Sequence, residues 1–129
     1  MGFSIYDEHV LVFSTQQLVA ADTTVFKSLL TGSGLGQRLD AILVSNSDII
    51  DHVVEFRMVT GVIYAPVGGV LILAGAGAGV IPAVDVVTLL PFGAPAGPLL
   101  APNAAIQARV VVAVTAAYAV GFYLAGGAF

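Results

Sequence analysis

The chain contains no cysteine and no tryptophan, and it has little charge of either sign. Without cysteine there is no disulfide, no thiolate nucleophile and no Cys-based zinc site. Charged residues are 9% of the 129 positions, well under the roughly 25% of ordinary soluble domains. The basic residues Lys27, Arg38, Arg57 and Arg109 are scattered, and eight acidic residues bring the net charge to −4. Nucleic-acid binding draws much of its affinity from phosphate contacts to a basic stripe. No such stripe exists, so no nucleic-acid partner is expected. Met1–Glu8 has no basic region running into an apolar one, so no Sec-type signal is expected.

Catalytic signatures are also missing. Gly32-Ser33-Gly34-Leu35-Gly36 runs into Gln37, and Gly75-Ala76-Gly77-Ala78-Gly79 runs into Val80. Neither fits G-x-G-x-x-G or a Walker A loop, and turns explain the glycines without a ligand. There is no G-x-S-x-G elbow, and His9 and His52 are the only histidines. Asn46, Asp48, Asp51 and His52 form the densest polar cluster, but their spacing matches no EF-hand loop. They read as a solvated turn between strands, where such residues are common. The expectation is a non-enzymatic protein without catalytic, cofactor or metal residues.

What the chain has is apolar side chain, 58% by count. A domain this small has much surface for its volume and cannot hide so much alone. It must cover the excess against partners or in a membrane. Three stretches, 58–84, 86–108 and 110–129, carry no formal charge. The first two are broken by Pro66 and Pro82, and by Pro91, Pro95, Pro98 and Pro102. Each proline inside a helix costs roughly 3 kcal/mol. The third has no proline, but bulky residues alternate with small ones: Val110, Val112, Val114, Tyr118, Val120, Phe122 and Leu124 against Ala113, Ala117, Ala119 and Gly121. A period of two is a strand pattern. It predicts a hairpin turning near Thr115–Ala117 between strands at 105–114 and 118–125. A membrane anchor at 110–129 is the alternative.

Elsewhere the pattern is also that of short strands. Asp22–Leu30 fits either a helix capped by Asp22 or a strand, and its Thr, Val and Phe favour the strand. Residues 38–59 read as two paired strands joined by the polar turn, with Ile42 and Val44 beside Asp40 on one face. On the second of these strands Val54, Phe56 and Met58 lie opposite Glu55 and Arg57. Further strands are expected at 62–65, 70–74 and 83–89, with a Pro/Gly/Ala loop over 91–102. The fold class is therefore all-β: an antiparallel β-sandwich or jelly roll of about seven or eight short strands. Residues 21–129 form one domain, and 1–20 are an N-terminal arm or an edge strand. In that segment Val10, Leu11, Val12 and Phe13 form an apolar run whose backbone needs a partner, either a neighbouring chain or the sandwich itself. Phe56, Tyr118 and Phe122 fall on bulky, core-like faces. Tyr123 falls on the opposite face and, with Val10–Phe13, is the candidate partner contact.

Residues 31–48, from Thr31-Gly32-Ser33-Gly34 through Ser45-Asn46-Ser47-Asp48, followed by His52-Val53-Val54, resemble a pattern of small tailed-phage virion proteins. Ala74-Gly75-Ala76-Gly77 with Ile81–Asp85, Leu99–Val110, and the end Gly126-Gly127-Ala128-Phe129 are similar to later parts of the same pattern. The resemblance spans about 25–129, with Ala74 where a proline is usual. It implies a capsid decoration (cement) protein, or a neck, tail or fibre subunit. It implies a homo-oligomer, dimer or trimer, on the particle surface, with the major capsid protein or another virion protein as partner.

Overall fold

The computed structural model of the protein describes residues 10–32, 34–87 and 99–128. Two antiparallel sheets face each other. In chain order the strands are β1 (Val10–Leu18), β2 (Lys27–Thr31), β3 (Gln37–Asn46), β4 (His52–Thr60), β5 (Ile63–Ile72), β6 (Val84–Asp85), β7 (Leu99–Leu100), β8 (Ala104–Val110) and β9 (Val120–Ala128). One sheet has the order β1-β9-β3-β6, with β7 also on β3; the other has β2-β8-β4-β5. The all-β antiparallel sandwich expected from the alternation is what forms.

The pairing is nested. β1 pairs with β9, β2 with β8, β3 with β6 and β4 with β5. This is one long antiparallel hairpin rolled into two sheets, the jelly-roll arrangement. The tip of the hairpin is the turn at Gly61-Val62 between β4 and β5. Gly61 sits there at φ 61°, a sign glycine adopts without strain and which two-residue hairpin turns require.

This topology corrects two readings. Residues 38–59 are not a hairpin: β3 and β4 lie in different sheets, joined by a corner that crosses the sandwich. Likewise β8 and β9 do not pair, because 111–119 crosses between sheets. Alternation reveals that a segment is a strand with one buried face; it carries no information on whether the next strand lies beside it or opposite. Tyr118, expected on a core-like face, is exposed on that crossing, as is Val112, whereas Val114 is buried.

Other differences are local. Residues 63–72 form one strand where two were expected. It tolerates Pro66 because β5 is an edge strand, where a missing N–H leaves no ladder bond unmade, and its register shifts opposite Phe56/Arg57. Asp40 does not share a face with Ile42 and Val44. A register shift at Leu39/Ala41 reverses the alternation, so Leu39, Ile42 and Val44 are buried and Asp40 is exposed. A side chain at Gly126 would collide with the carbonyl of Arg38 at this bulge. Asp22 caps no α-helix; a single 3-10 turn covers Ala20–Asp22, and the Asp22 carboxylate accepts the Val19 N–H at 2.8 Å. Of the strand expected at 83–89, Val84–Asp85 is present, and residues from 88 lie outside the described ones.

Phe56 on β4 and Phe122 on β9 meet edge to face, centroids 6.2 Å apart, and join the sheets. Around them Leu39, Ile42, Val44, Val54, Ile106 and Leu124 are buried. Val10–Leu18 is an edge strand of its own sandwich, the second of the two readings of that segment; residues 1–9 lie outside the described ones. Deleting residues 1–14 removes the pairing of Val10–Ser14 with Leu124–Ala128. The isolated subunit is therefore expected to melt at a lower temperature than the full chain. An unchanged melting temperature would mean that this pairing contributes nothing in solution.

Candidate functional site

The polar cluster of the sequence is buried, contrary to the solvated turn expected from it. Asn46, Asp48 and His52 are almost fully enclosed where β3 crosses to β4, and only Asp51 is exposed. Asp48 Oδ2 accepts the Thr115 N–H at 2.8 Å and lies 2.7 Å from His52 Nε2; Oδ1 accepts the Ile49 N–H at 2.6 Å. An ionised carboxylate only accepts, so Nε2 carries the hydrogen. Burial pushes the Asp48 carboxyl up, but hydrogen bonds from Thr115, His52 and Ile49 outweigh it and hold it well below the ordinary carboxylate range. Asn46 Nδ2 donates to the Ile50 and Ile72 carbonyls at 2.9 and 3.2 Å, and Asp51 accepts the Ala74 N–H at 2.8 Å. Ser47 Oγ and N both donate to the Ala119 carbonyl. These side chains tie together the ends of three crossings, 47–51, 73–83 and 111–119. Their oxygens are spent on backbone N–H groups, and no group of three His, Asp or Glu among the described residues is placed to hold a metal ion. The arrangement braces the corner of the sandwich.

The outer face of the β2-β8-β4-β5 sheet is different. It is organised in rows by strand register. At one end Val53 pairs with Leu71, and the Val111 N–H bonds to the Val53 carbonyl, so three apolar side chains stand outward in a line. They are 41%, 54% and 47% exposed. Next, Glu55 and Arg109 pair across β4 and β8, with Arg109 Nη2 2.6 Å from Glu55 Oε1. Then comes Arg57. Its guanidinium carbon lies 3.9 Å from the centre of the Phe26 ring and 4.1 Å from that of Tyr64. Its Nε donates to Gln107 Oε1 at 2.7 Å, and Gln107 Nε2 donates to Ser28 Oγ at 3.0 Å. Phe26, Glu55, Arg57, Tyr64, Gly69 and Arg109 line an open cleft of about 520 Å³.

Sequence reasoning missed this cleft. Alternation placed Arg57 and Glu55 outward, but only the register of β4 on β8 and β5 brings Phe26, Tyr64 and Arg109 to them. The sequence-based candidates lie on the other sheet. Tyr123 is on the outer face of β9, 39% exposed, beside a cleft that also involves Gln17, Leu43 and Ser45. Val10, Leu11, Val12 and Phe13 lie on the neighbouring strand, paired with Ala128, Gly127, Gly126 and Ala125. Among the described residues no helix is long and apolar enough to cross a membrane, and 110–128 contributes the end of β8, a crossing and β9. Comparison of the chain with protein-family models, with curated proteins and with solved structures finds no match.

Proposed function

We propose that the protein is a non-enzymatic structural subunit that works by covering its outward apolar surface against neighbouring protein chains, as a dimer or trimer. The observation that carries this is the placement of large apolar side chains outside a core that is already complete. Val53, Leu71 and Val111 form a continuous outward row, with Ile49, Leu73 and Val112 also exposed nearby in the chain. Contiguous apolar surface of this kind marks protein interfaces.

The assembly we propose is a virion, with the protein as a capsid decoration subunit on the particle surface, seated on the major capsid protein. This part rests on the resemblance over 25–129. The jelly roll is one of the folds that capsid domains use, though a fold does not by itself fix a function. A neck, tail or fibre subunit would use the same surface in the same way. The position of the gene separates the two: beside a major capsid gene for decoration, beside a tail tape-measure gene for the tail.

Light scattering at micromolar concentration is expected to give a dimer or trimer. Val53→Lys is expected to split it while costing the isolated subunit no more than about 1 kcal/mol, the span of strand propensities. A monodisperse wild-type monomer that also fails to bind particles would overturn the proposal.

A further inference from the structure

Arg57 is unusual among the cations of this chain. Lys27 lies near Asp22, Arg38 is paired with Asp40 and Arg109 with Glu55. Among the described residues Arg57 alone, of the lysines and arginines, has no carboxylate partner. It is nevertheless held in place by uncharged groups. The guanidinium carbon lies over two rings, Phe26 and Tyr64, and the Gln107–Ser28 chain holds its Nε. Among the described residues the one side-chain hydrogen bond of Arg57 is made by Nε, and the residue lines the cleft, so the terminal nitrogens are left for a ligand. A guanidinium so fixed loses little freedom when it binds, and its fork matches the two oxygens of a carboxylate. Glu55 is neutralised by Arg109 in the same cleft, so the cleft carries one net positive charge on a chain of net charge −4.

We infer that Arg57 anchors a carboxylate-binding site on the outer face of the β2-β8-β4-β5 sheet, and that its ligand is an aspartate or glutamate side chain of a neighbouring protein chain. Two features favour a protein ligand. The apolar row Leu71–Val53–Val111 lies on the same face, one row beyond the Glu55–Arg109 pair, and so offers apolar contact beside the charge. Arginine and tyrosine are also the residue types that carry binding energy in interfaces. The inference deepens the structural-subunit reading by naming the chemistry of the contact.

The test separates the two. Wild-type protein labelled with nitrogen-15 is titrated with an N-acetylated, C-amidated Leu-Asp-Leu peptide, with its Leu-Asn-Leu counterpart, and with galacturonic acid. The Arg57 Nε–H resonance, assigned by its loss in Arg57→Met, is expected to shift saturably with the Asp peptide. The Asn peptide should bind about tenfold more weakly, the worth of one charge-assisted hydrogen bond. Arg57→Met should abolish the difference between the peptides, and Arg57→Lys should restore part of it. Equal response to both peptides, or none, overturns the site. Tighter binding of galacturonic acid than of the Asp peptide overturns the protein ligand in favour of an acidic sugar. Oligomerisation of the wild type, read separately by light scattering, decides the structural-subunit reading. A protein that assembles normally but shows no peptide preference loses the carboxylate site alone.

Discussion

Phe56→Ala is expected to destabilise the protein by about 3–5 kcal/mol, the range for removing a buried phenylalanine. Phe56 is 1% exposed and packs against Phe122 of the opposite sheet. Its loss removes apolar contact from both sheets at once and leaves a cavity that the close-packed strands cannot easily collapse into. The neighbour in sequence makes the control. Glu55 points outward and pairs with Arg109 where both side chains are about two-fifths exposed, at 41% and 38%. Exposed pairs of this kind are worth roughly 0–1 kcal/mol, so Glu55→Ala should cost little. Urea unfolding of both variants decides the matter: comparable losses would mean that β4 does not present alternate residues to core and solvent.

The second large effect is expected at the corner brace. Asp48→Ala strips partners from the Thr115 and Ile49 N–H groups, which are partly buried, and from His52 Nε2, which is fully enclosed. A buried donor left without a partner costs about 1–3 kcal/mol, and three donors lose theirs here, so the loss expected is about 3 kcal/mol. A solvated turn, as the sequence suggests, would lose under about 0.5 kcal/mol, the range for surface substitutions, so unfolding at neutral pH discriminates sharply. The pH dependence gives an independent reading. A carboxyl whose pKa is lower folded than unfolded contributes its full stabilisation above the unfolded value, and loses it as pH falls toward the folded one. Asp48 is such a group. Wild-type stability should therefore hold at neutral pH and decline below about pH 4, the ordinary aspartate value. Asp48→Asn should be less stable at neutral pH and show a shallower acid decline. Parallel acid limbs in the two proteins would assign the decline to other carboxylates.

Most strands were legible because each has one buried face, and a period of two follows directly from pleated geometry. Val54 and Phe56 on β4, Ile42 and Val44 on β3, and Phe122 and Leu124 on β9 are buried as their alternation indicates. Boundaries failed where the backbone departs from regular pleating. The bulge at Leu39/Ala41 changes which parity faces inward, and the shift opposite Phe56/Arg57 lets β5 run through Pro66. Neither leaves a mark in composition. Leu100 is buried on β7, at the end of a proline-rich stretch that reads as loop, because pairing with β3 rather than local pattern places it there.

The candidate sites divide in the same way. Tyr123 was recognised as outward-facing because facing is a local property of a strand. The burial of Asp48 and the company of Arg57 were not, because both depend on segments far apart in the chain. Thr115 reaches Asp48 from 67 residues away, and Gln107 reaches Arg57 from 50.

By itself, then, the sequence determined the class of the fold, the inward and outward faces of the main strands, and the lack of recognisable catalytic and nucleic-acid-binding signatures. These follow from side-chain chemistry and a two-residue period, which act within a few positions. The tertiary structure alone decided that β1 closes on its own sheet, that β3–β4 and β8–β9 are crossings rather than hairpins, and that a turn rich in Asn and Asp becomes a buried brace. It also decided that Arg57 lies against two rings and has no carboxylate partner among the described residues. Each of these depends on which strand lies next to which. That choice is made by the rolling of one long hairpin into two sheets, where distant segments compete for the same edges and only the packed whole has a single solution.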